Sequence, residues 1–510
     1  MKTKKVILIF LLIISLMLPC VTACNPSANS DSDSNNKTPA DNMSGNSDNN
    51  NAADLGDNNA DSGEEVHIPT KSPLDLPEIK YDGYDFRVMN TQQSAMTWVN
   101  TTITSDEDTG VEVNDAVYIR NRIVEDRFDI NIKEIVENSV SSVQSKARKS
   151  ILAASDDFDL FMLPAAESMA LAKVQLLTDY NEIPYVDLNK PYWDKDIKRD
   201  LSVGGRVYLI AGDFSMMHYG LTVAMFFNKK LITDLGLESP YNIIKEDKWT
   251  YDKFYEMASA AVSDLNGDGI MDENDRYGYL AITTIWSPAF LSSAGQQTVL
   301  KDENDLHYFG MDNEKFITVY QKMTSMLHTN NVMFDADDAG NHRLQDVMFP
   351  GNQALFWSEC VHWATILRNM DSDFGIIVHP KFDESQNGYH NFAGAPVAMC
   401  VPATVTDSER TGMILETLCY ESTDTVIKAY YDVLLKTKIS RDDESEKMLD
   451  IIFQNRIYSI SDVYYWGEIH GPMNSKTLSK QANADIAGWI DKNKDKIVKA
   501  IEKTNDALTK

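Results

Sequence analysis

The sharpest chemical spacing in the chain is Asp264-Leu-Asn266-Gly-Asp268-Gly-Ile270-Met-Asp272-Glu-Asn-Asp275. Side-chain oxygens at loop positions 1, 3, 5, 9 and 12, a carbonyl from Ile270 at position 7 and a glycine at position 6 follow an EF-hand calcium loop. Calcium requires several hard oxygens around one point, and this spacing wraps the backbone to supply them. Asp275 is a shorter arm than the usual bidentate Glu, and Tyr277-Gly-Tyr-Leu-Ala-Ile282 reads as a strand where a second helix would follow. The alternative is an acidic turn that holds no ion. Under either reading the role is structural, clamping the loop after a helix.

Enzyme chemistry has little support. The chain contains no G-x-S-x-G, H-E-x-x-H, G-x-x-x-x-G-K-[ST] or G-x-G-x-x-G string. Its nine histidines are scattered, with no pair at metal-ligand spacing on a convincing helix. His379 beside Pro380 and His390 beside Asn391 read as loop residues. No two carboxylates are singled out as a glycosidase pair, so neither catalysis nor an organic cofactor is expected.

The N-terminal residues carry an address. Lys2, Lys4 and Lys5 precede the apolar run Val6–Leu18 and then Val21-Thr-Ala-Cys24, a secretory signal (1–23) with a lipobox. The run is well short of the roughly 20 residues that cross a bilayer. Cys20 follows Pro19, whereas Cys24 follows small residues, so Cys24 is the expected lipidated mature terminus, carrying palmitate-type chains. Several acyl chains anchor durably where one is marginal. The alternative is an ordinary cleaved signal. The expected location is the extracellular face of the cell membrane.

Cys360, Cys400 and Cys419 then remain, too widely spaced for a disulfide framework or a CxxC metal knuckle. The net charge of −30 makes nucleic acid and anionic lipid poor partners. Residues 24–72 are dominated by Asn, Asp, Ser, Ala and Gly and cannot bury enough surface to order themselves. As a flexible coil such a tether would span on the order of 35 to 40 Å.

From Tyr84 the pattern alternates. Tyr84–Met89, Ile130–Val136 and Phe158–Leu163 read as strands, and Val111–Phe128 and Val140–Ala154 as helices. Strands separated by helices imply an α/β fold with a mostly parallel sheet, whose ligands collect beyond the carboxyl ends of the strands. The loops after Met89 and Leu163 are therefore candidate site walls. Val203–Phe214 reads as a hairpin-like pair of strands, and Leu221–Asn228 as a buried strand followed by a helix. Thr250 reads as a cap for a helix to Val262, and Asp485–Leu508 as a charged amphipathic helix.

The strings Leu176-Leu-Thr-Asp-Tyr-Asn-Glu-Ile-Pro184, Lys190-Pro-Tyr-Trp-Asp194, Gly205-Arg-Val-Tyr208, Phe226-Phe-Asn-Lys-Lys-Leu231, Trp249-Thr-Tyr-Asp-Lys-Phe254 and Tyr277-Gly-Tyr279 run in order through the chain. Together with the lipobox, they make it resemble the family 1 extracellular solute-binding lipoproteins of Gram-positive ABC-type carbohydrate importers. The resemblance implies a two-lobed, type II periplasmic-binding-protein-like fold with a hinge. Its expected partition is lobe 1 at 73–215, lobe 2 at 216–393, a lobe 1 return at 394–440 and a C-terminal helical segment, 441–510, packing mainly on lobe 2. It also implies a monomer that captures a carbohydrate, an oligosaccharide, by lobe closure and delivers it to ABC permease subunits. The alternatives are a binding module for a non-sugar solute or for a membrane sensor, and a carbohydrate-active hydrolase.

Carbohydrate recognition uses aromatic faces and planar polar groups. Candidates on the expected cleft loops are Trp98, Glu167, Asp213, Tyr219, Trp286 in Thr284-Ile-Trp-Ser-Pro288, Trp357 and Glu359 in Leu355-Phe-Trp-Ser-Glu359, and Trp466 in Tyr464-Tyr-Trp-Gly-Glu468. The resemblance places Glu167, Trp357 and Trp466 in regions where family members touch sugars. For each Trp the alternative is core packing, and for Glu167 and Asp213 a helix-terminal or turn carboxylate. Trp193, Trp249, Trp363 and Trp489 are assigned to packing.

Overall fold

Strand β1 (Tyr84–Thr91) buries Phe86 and every residue from Val88 to Thr91, because it lies between two neighbours. It pairs in parallel with β2 (Ile130–Glu137) and β3 (Leu160–Pro164). The computed structural model describes residues 73–510 apart from 98, 101, 108, 342, 436–442, 475–477, 479 and 480. The leader, Cys24, the 24–72 segment and Trp98 lie outside the described residues.

β2 alternates buried Ile130 and Ile132 with exposed Asn131 and Lys133, the pattern of an edge strand with one face on the core. The helix Glu112–Phe128 between β1 and β2 turns Val113, Val117, Val124 and Phe128 inward at helical spacing. It ends at Asp129, whose φ of 51° is left-handed and sends the chain directly into β2. Arg120 on this helix is fully buried and donates to the Phe214 carbonyl at 3.2 Å. The first layer thereby grips the segment that leads out of it. Asp159, also fully buried, ties β1 to β3 by accepting from Tyr84 at 2.7 Å and Arg87 Nε at 3.0 Å.

A second sheet is built from β4 (Val223–Asn228), β5 (Tyr277–Ala281), β8 (Met333–Asp335), β9 (Ala354–Cys360) and β10 (Phe374–Ile377), in the order β10-β4-β9-β5-β8. β6 (Val299–Lys301) and β7 (His307–Phe309) form a separate hairpin. β4 and β5 are buried on both faces, as expected when helices cover both sides of a sheet. Thr250 Oγ1 caps the helix Tyr251–Ala261 by accepting from Lys253 N at 3.3 Å. That helix lies so close to β5 that a Cβ on Gly278 would stand 2.2 Å from the Ala258 carbonyl oxygen.

The chain crosses between the sheets more than once. β11 (Asn391–Ala393) leads to β12 (Val397–Cys400), which returns to the first sheet antiparallel to β3, giving the order β12-β3-β1-β2. The helix Ser408–Ser422 then packs on Glu112–Phe128 and continues through a π turn at Thr423–Ile427 into Lys428–Leu435. β13 (Arg456–Tyr458) pairs with β11. The last helix, Ile486–Leu508, fastens the β6–β7 hairpin and the 203–214 segment. Asn505 donates to the His307 carbonyl at 2.8 Å, and the Leu508 carbonyl accepts from Tyr208 at 2.9 Å.

The expected hairpin over 203–214 is absent. Val203 and Arg206 do exchange hydrogen bonds across Gly204 and Gly205, whose φ values are 58° and 77°, as in a tight two-residue turn. Beyond Arg206 the backbone is used elsewhere. Val207 accepts from Tyr180, Ile210 pairs with Met399 of β12, and Ala211 accepts from Asp194. The segment is a connector laid along the first layer.

Candidate functional site

β3 ends at Pro164, and the helix Ala165–Ala172 begins at once, so its first turn stands at the carboxyl end of the sheet where α/β folds gather ligands. Beyond it opens a cavity of about 720 Å³ lined by Glu167 and Lys173 on one side, by Val463–Gly467 on another and by Lys503 and Thr504 of the last helix. This volume lies within the range of small-molecule sites.

The aromatic wall is Tyr464-Tyr465-Trp466. Tyr464 and Trp466 stack with centroids 4.6 Å apart and planes 19° from parallel. Trp466 is 4 % exposed, and its Nε1 donates to Thr504 Oγ1 at 2.8 Å. Its polar edge is therefore satisfied internally, and it supports the wall rather than presenting a free face. Tyr465, which separates these two residues in sequence, is 70 % exposed. The turn that displays it relies on left-handed backbone at Gly467 and Glu468, with φ of 52° and 76°.

His470 packs 4.5 Å from the Tyr465 ring, and its Nδ1 lies 3.5 Å from Asp462. Burial pushes the Asp462 carboxyl up to about 7, although its side chain is still 20 % exposed, and burial pushes the His470 imidazole down. The Tyr465 phenol is pushed up by burial and by the nearby charges of Asp462 and Glu167. Glu167 and Tyr465 both line the cavity, and Asp462 lies behind Tyr465 outside the lining. Gln144 holds the Glu167 turn by donating to its carbonyl at 3.1 Å.

The remaining candidates are dispersed. Trp286 is fully buried, donates to Asp335 at 3.2 Å and packs against His328. Trp357 is fully buried, donates to Gln345 at 3.1 Å and lies between Phe226 and Phe349. Both are core rings with no face for a ligand in this conformation, which corrects their placement on cleft loops. Glu359 is buried beside Trp357 and accepts from Gln345 at 2.8 Å; burial pushes its carboxyl up to about 7. Trp193 and Trp249 are core residues whose indole N–H groups donate to Glu416 and to the Val378 carbonyl.

Asp213 and Tyr219 belong to a buried network where the chain first leaves the first layer. His218 lies with Nδ1 3.1 Å from Asp194 and Nε2 3.2 Å from Asp213. Arg456 of β13 reaches Asp194 at 3.0 Å, Tyr458 donates to Asp194 at 2.9 Å, and Thr423 of the π turn donates to Asp213 at 2.7 Å. Tyr219 packs against His218 with centroids 3.9 Å apart and planes tilted by 48°, and it meets Phe453 edge-on. These residues join the connecting segments to one another and do not face the cavity.

The Asp264–Asp275 loop is closed by an antiparallel bridge between Ser263 and Arg276. Asp264 accepts from Gly269 N at 2.8 Å, Asn266 from Asp268 N at 2.9 Å and Asp268 from Ile270 N at 2.8 Å. Asp272 accepts from Asn274 N, and Asp275 from the Leu265 and Asp272 amides at 2.8 and 3.0 Å. The donor set is all oxygen, as calcium prefers, but backbone amides take those oxygens here. Among the described residues no group of three or more His, Cys, Asp or Glu side chains stands where it could hold a metal ion.

Sequence reasoning passed over Tyr465, Lys173, Lys503, His218 and Arg456. The aromatic run at 464–466 was a usable signal for Tyr465. The charged residues carried none, because a charge on a helix normally reads as solvated surface.

No helix among the described residues is long and apolar enough to cross a membrane. No curated relative matches the chain. Among solved structures, M. tuberculosis UspC is 14 % identical, with a TM-score of 0.54 over 83 % of this chain and 100 % of its own. A cyclo/maltodextrin-binding protein in complex with maltotetraose is 14 % identical, with a TM-score of 0.54 over 84 % and 97 %. A Rhizobium etli sugar transporter in an open conformation is 12 % identical, with a TM-score of 0.52 over 84 % and 99 %. At such identities the likeness establishes the fold: two α/β lobes of the periplasmic-binding-protein kind. A sequence model of the bacterial extracellular solute-binding protein matches residues 119–384, more than half of the chain. The chain belongs to the family of bacterial extracellular solute-binding proteins.

Proposed function

We infer that the protein captures a carbohydrate, an oligosaccharide, by closure of its two lobes and delivers it to the permease of an ABC importer. The observation that carries this reading is the cavity at the end of β3, which an exposed Tyr465 ring and the Glu167 carboxylate line together. A ring face and a hydrogen-bonding carboxylate are what the C–H face and hydroxyls of a sugar require. Fold neighbours described as binding maltodextrins or transporting sugars support the same class. The role is binding rather than catalysis. The Ser358–His379 pair, 2.8 Å apart, joins β9 to the segment after β10 and is fully buried.

Acyl chains on Cys24 would hold the protein at the outer face of the membrane, and the 24–72 segment would carry the lobes clear of it. The Asp264–Asp275 loop is proposed as a structural calcium site whose carboxylates exchange backbone amides for the ion. The carbohydrate reading is tested by thermal shift of the full chain against a panel of mono- and oligosaccharides, amino acids and peptides. A melting temperature that climbs with saccharide concentration, as mass action requires, is the expected result. Stabilisation by peptides and by no saccharide would refute it.

A further inference from the structure

Two residues that line the cavity carry charge opposite to that of the chain. Net charge is −30, and surface lysines commonly sit beside carboxylates, as Lys248 beside Glu246, Lys253 beside Glu256 and Lys322 beside Asp252 do. Lys173 and Lys503 do not. They project into the cavity from different walls, one after the helix Ala165–Ala172 and the other from the last helix. Neither forms an ion pair with a described carboxylate. Lys173 is half-buried, with its ammonium 5.1 Å from the centroid of Tyr464. Lys503 is exposed at the same cavity, and burial together with the charge of Lys503 pushes the Lys173 pKa down. An anion between them would offset their like charges and gain charge-assisted hydrogen bonds from both.

We propose that the cavity selects a saccharide bearing an anionic substituent, with Lys173 and Lys503 gripping the anion while Tyr465 and Glu167 hold the adjoining sugar ring. The proposal rests on the carbohydrate reading above. Glu167 lines the same cavity and acts on the Tyr465 phenol, and it is assigned to the hydroxyls of the sugar ring rather than to the anion. The substituent carries a full negative charge; a uronate carboxylate and a sulfate ester both satisfy the chemistry.

The test is calorimetric titration of the full chain at low ionic strength with maltotriose, trigalacturonate and a sulfated galactose disaccharide. At least one acidic probe should bind roughly tenfold or more tightly than maltotriose, the low end for hydrogen bonds to charged groups, and the stronger acidic arm identifies the substituent. That preference should shrink as salt is added. The double variant Lys173→Gln, Lys503→Gln should bind acidic and neutral probes with equal affinity, and Lys173→Arg with Lys503→Arg, which keeps the charge, should retain the preference. Equal binding of neutral and acidic probes by the wild type, or a preference that survives the Gln variant, would overturn the proposal and leave the carbohydrate reading standing. Binding of none of the probes would overturn both.

Discussion

Asp194 shows how single residues are made to carry the connections between the lobes. Burial alone would raise its carboxyl, but Arg456 at 3.0 Å and His218 at 3.1 Å hold it down at about 2. His218 responds in the other direction. Burial opposes its charge, yet Asp194 and Asp213 on either side raise its pKa above the ordinary 6.5. The folded protein therefore holds this proton more tightly than the unfolded chain does. The charged imidazole contributes its full stability below about pH 6.5, and that contribution is lost as pH rises through the folded value. Unfolding by urea across pH 5.5–9 should show wild type more stable than His218→Gln at the acid end, with the gap narrowing above roughly pH 6.5. Comparing the two profiles cancels Asp462 and Glu359, which also titrate near neutrality. A gap that stays constant or widens with pH would mean that His218 is neutral in the fold. None of this was legible in the sequence, because it depends on Asp194, His218 and Arg456 meeting across long stretches of chain.

At the scale of elements, legibility followed periodicity. The stretch from Tyr84 to Leu163 could be read because its helix repeats apolar residues at Val113, Val117 and Val124 and its edge strand alternates Ile130 and Ile132 with polar neighbours. The 203–214 segment was misread because apolar alternation there serves isolated bridges to β12 and to the Trp193 region instead of a hairpin. The tryptophans divide for a similar reason. Whether an indole is core or wall depends on what satisfies its N–H, and Asp335 and Gln345 lie far from Trp286 and Trp357 in sequence or in another element. The Asp264–Asp275 loop was visible from spacing alone, and its ends are clamped as a loop between helix and strand requires. If it takes calcium, added calcium should raise the melting temperature and a chelator should lower it, and Asp264→Ala with Asp268→Ala should abolish the difference. An unchanged melting temperature in calcium and in chelator would leave an ion-free acidic turn.

Across the whole molecule, the two sheets and the repeated crossings describe a receptor whose two layers share one continuous core of buried apolar residues. The alternation of strands and helices made the α/β class legible, and the ordered strings from Leu176 to Tyr279 pointed to the family. The cavity itself was less so, since it brings Glu167 of the first layer against a loop some three hundred residues later, a distance in chain that only the fold closes. The proposed function rests on Tyr465, the exposed ring beside the stacked Tyr464 and Trp466. The most direct test of the account is saccharide titration of the full chain beside Tyr465→Ala, using whichever saccharide stabilises the wild type. The account predicts that the variant folds with an unchanged melting temperature and binds roughly tenfold or more weakly, as loss of a central aromatic contact entails; equal affinity in the two proteins would contradict it and move the site away from this cavity.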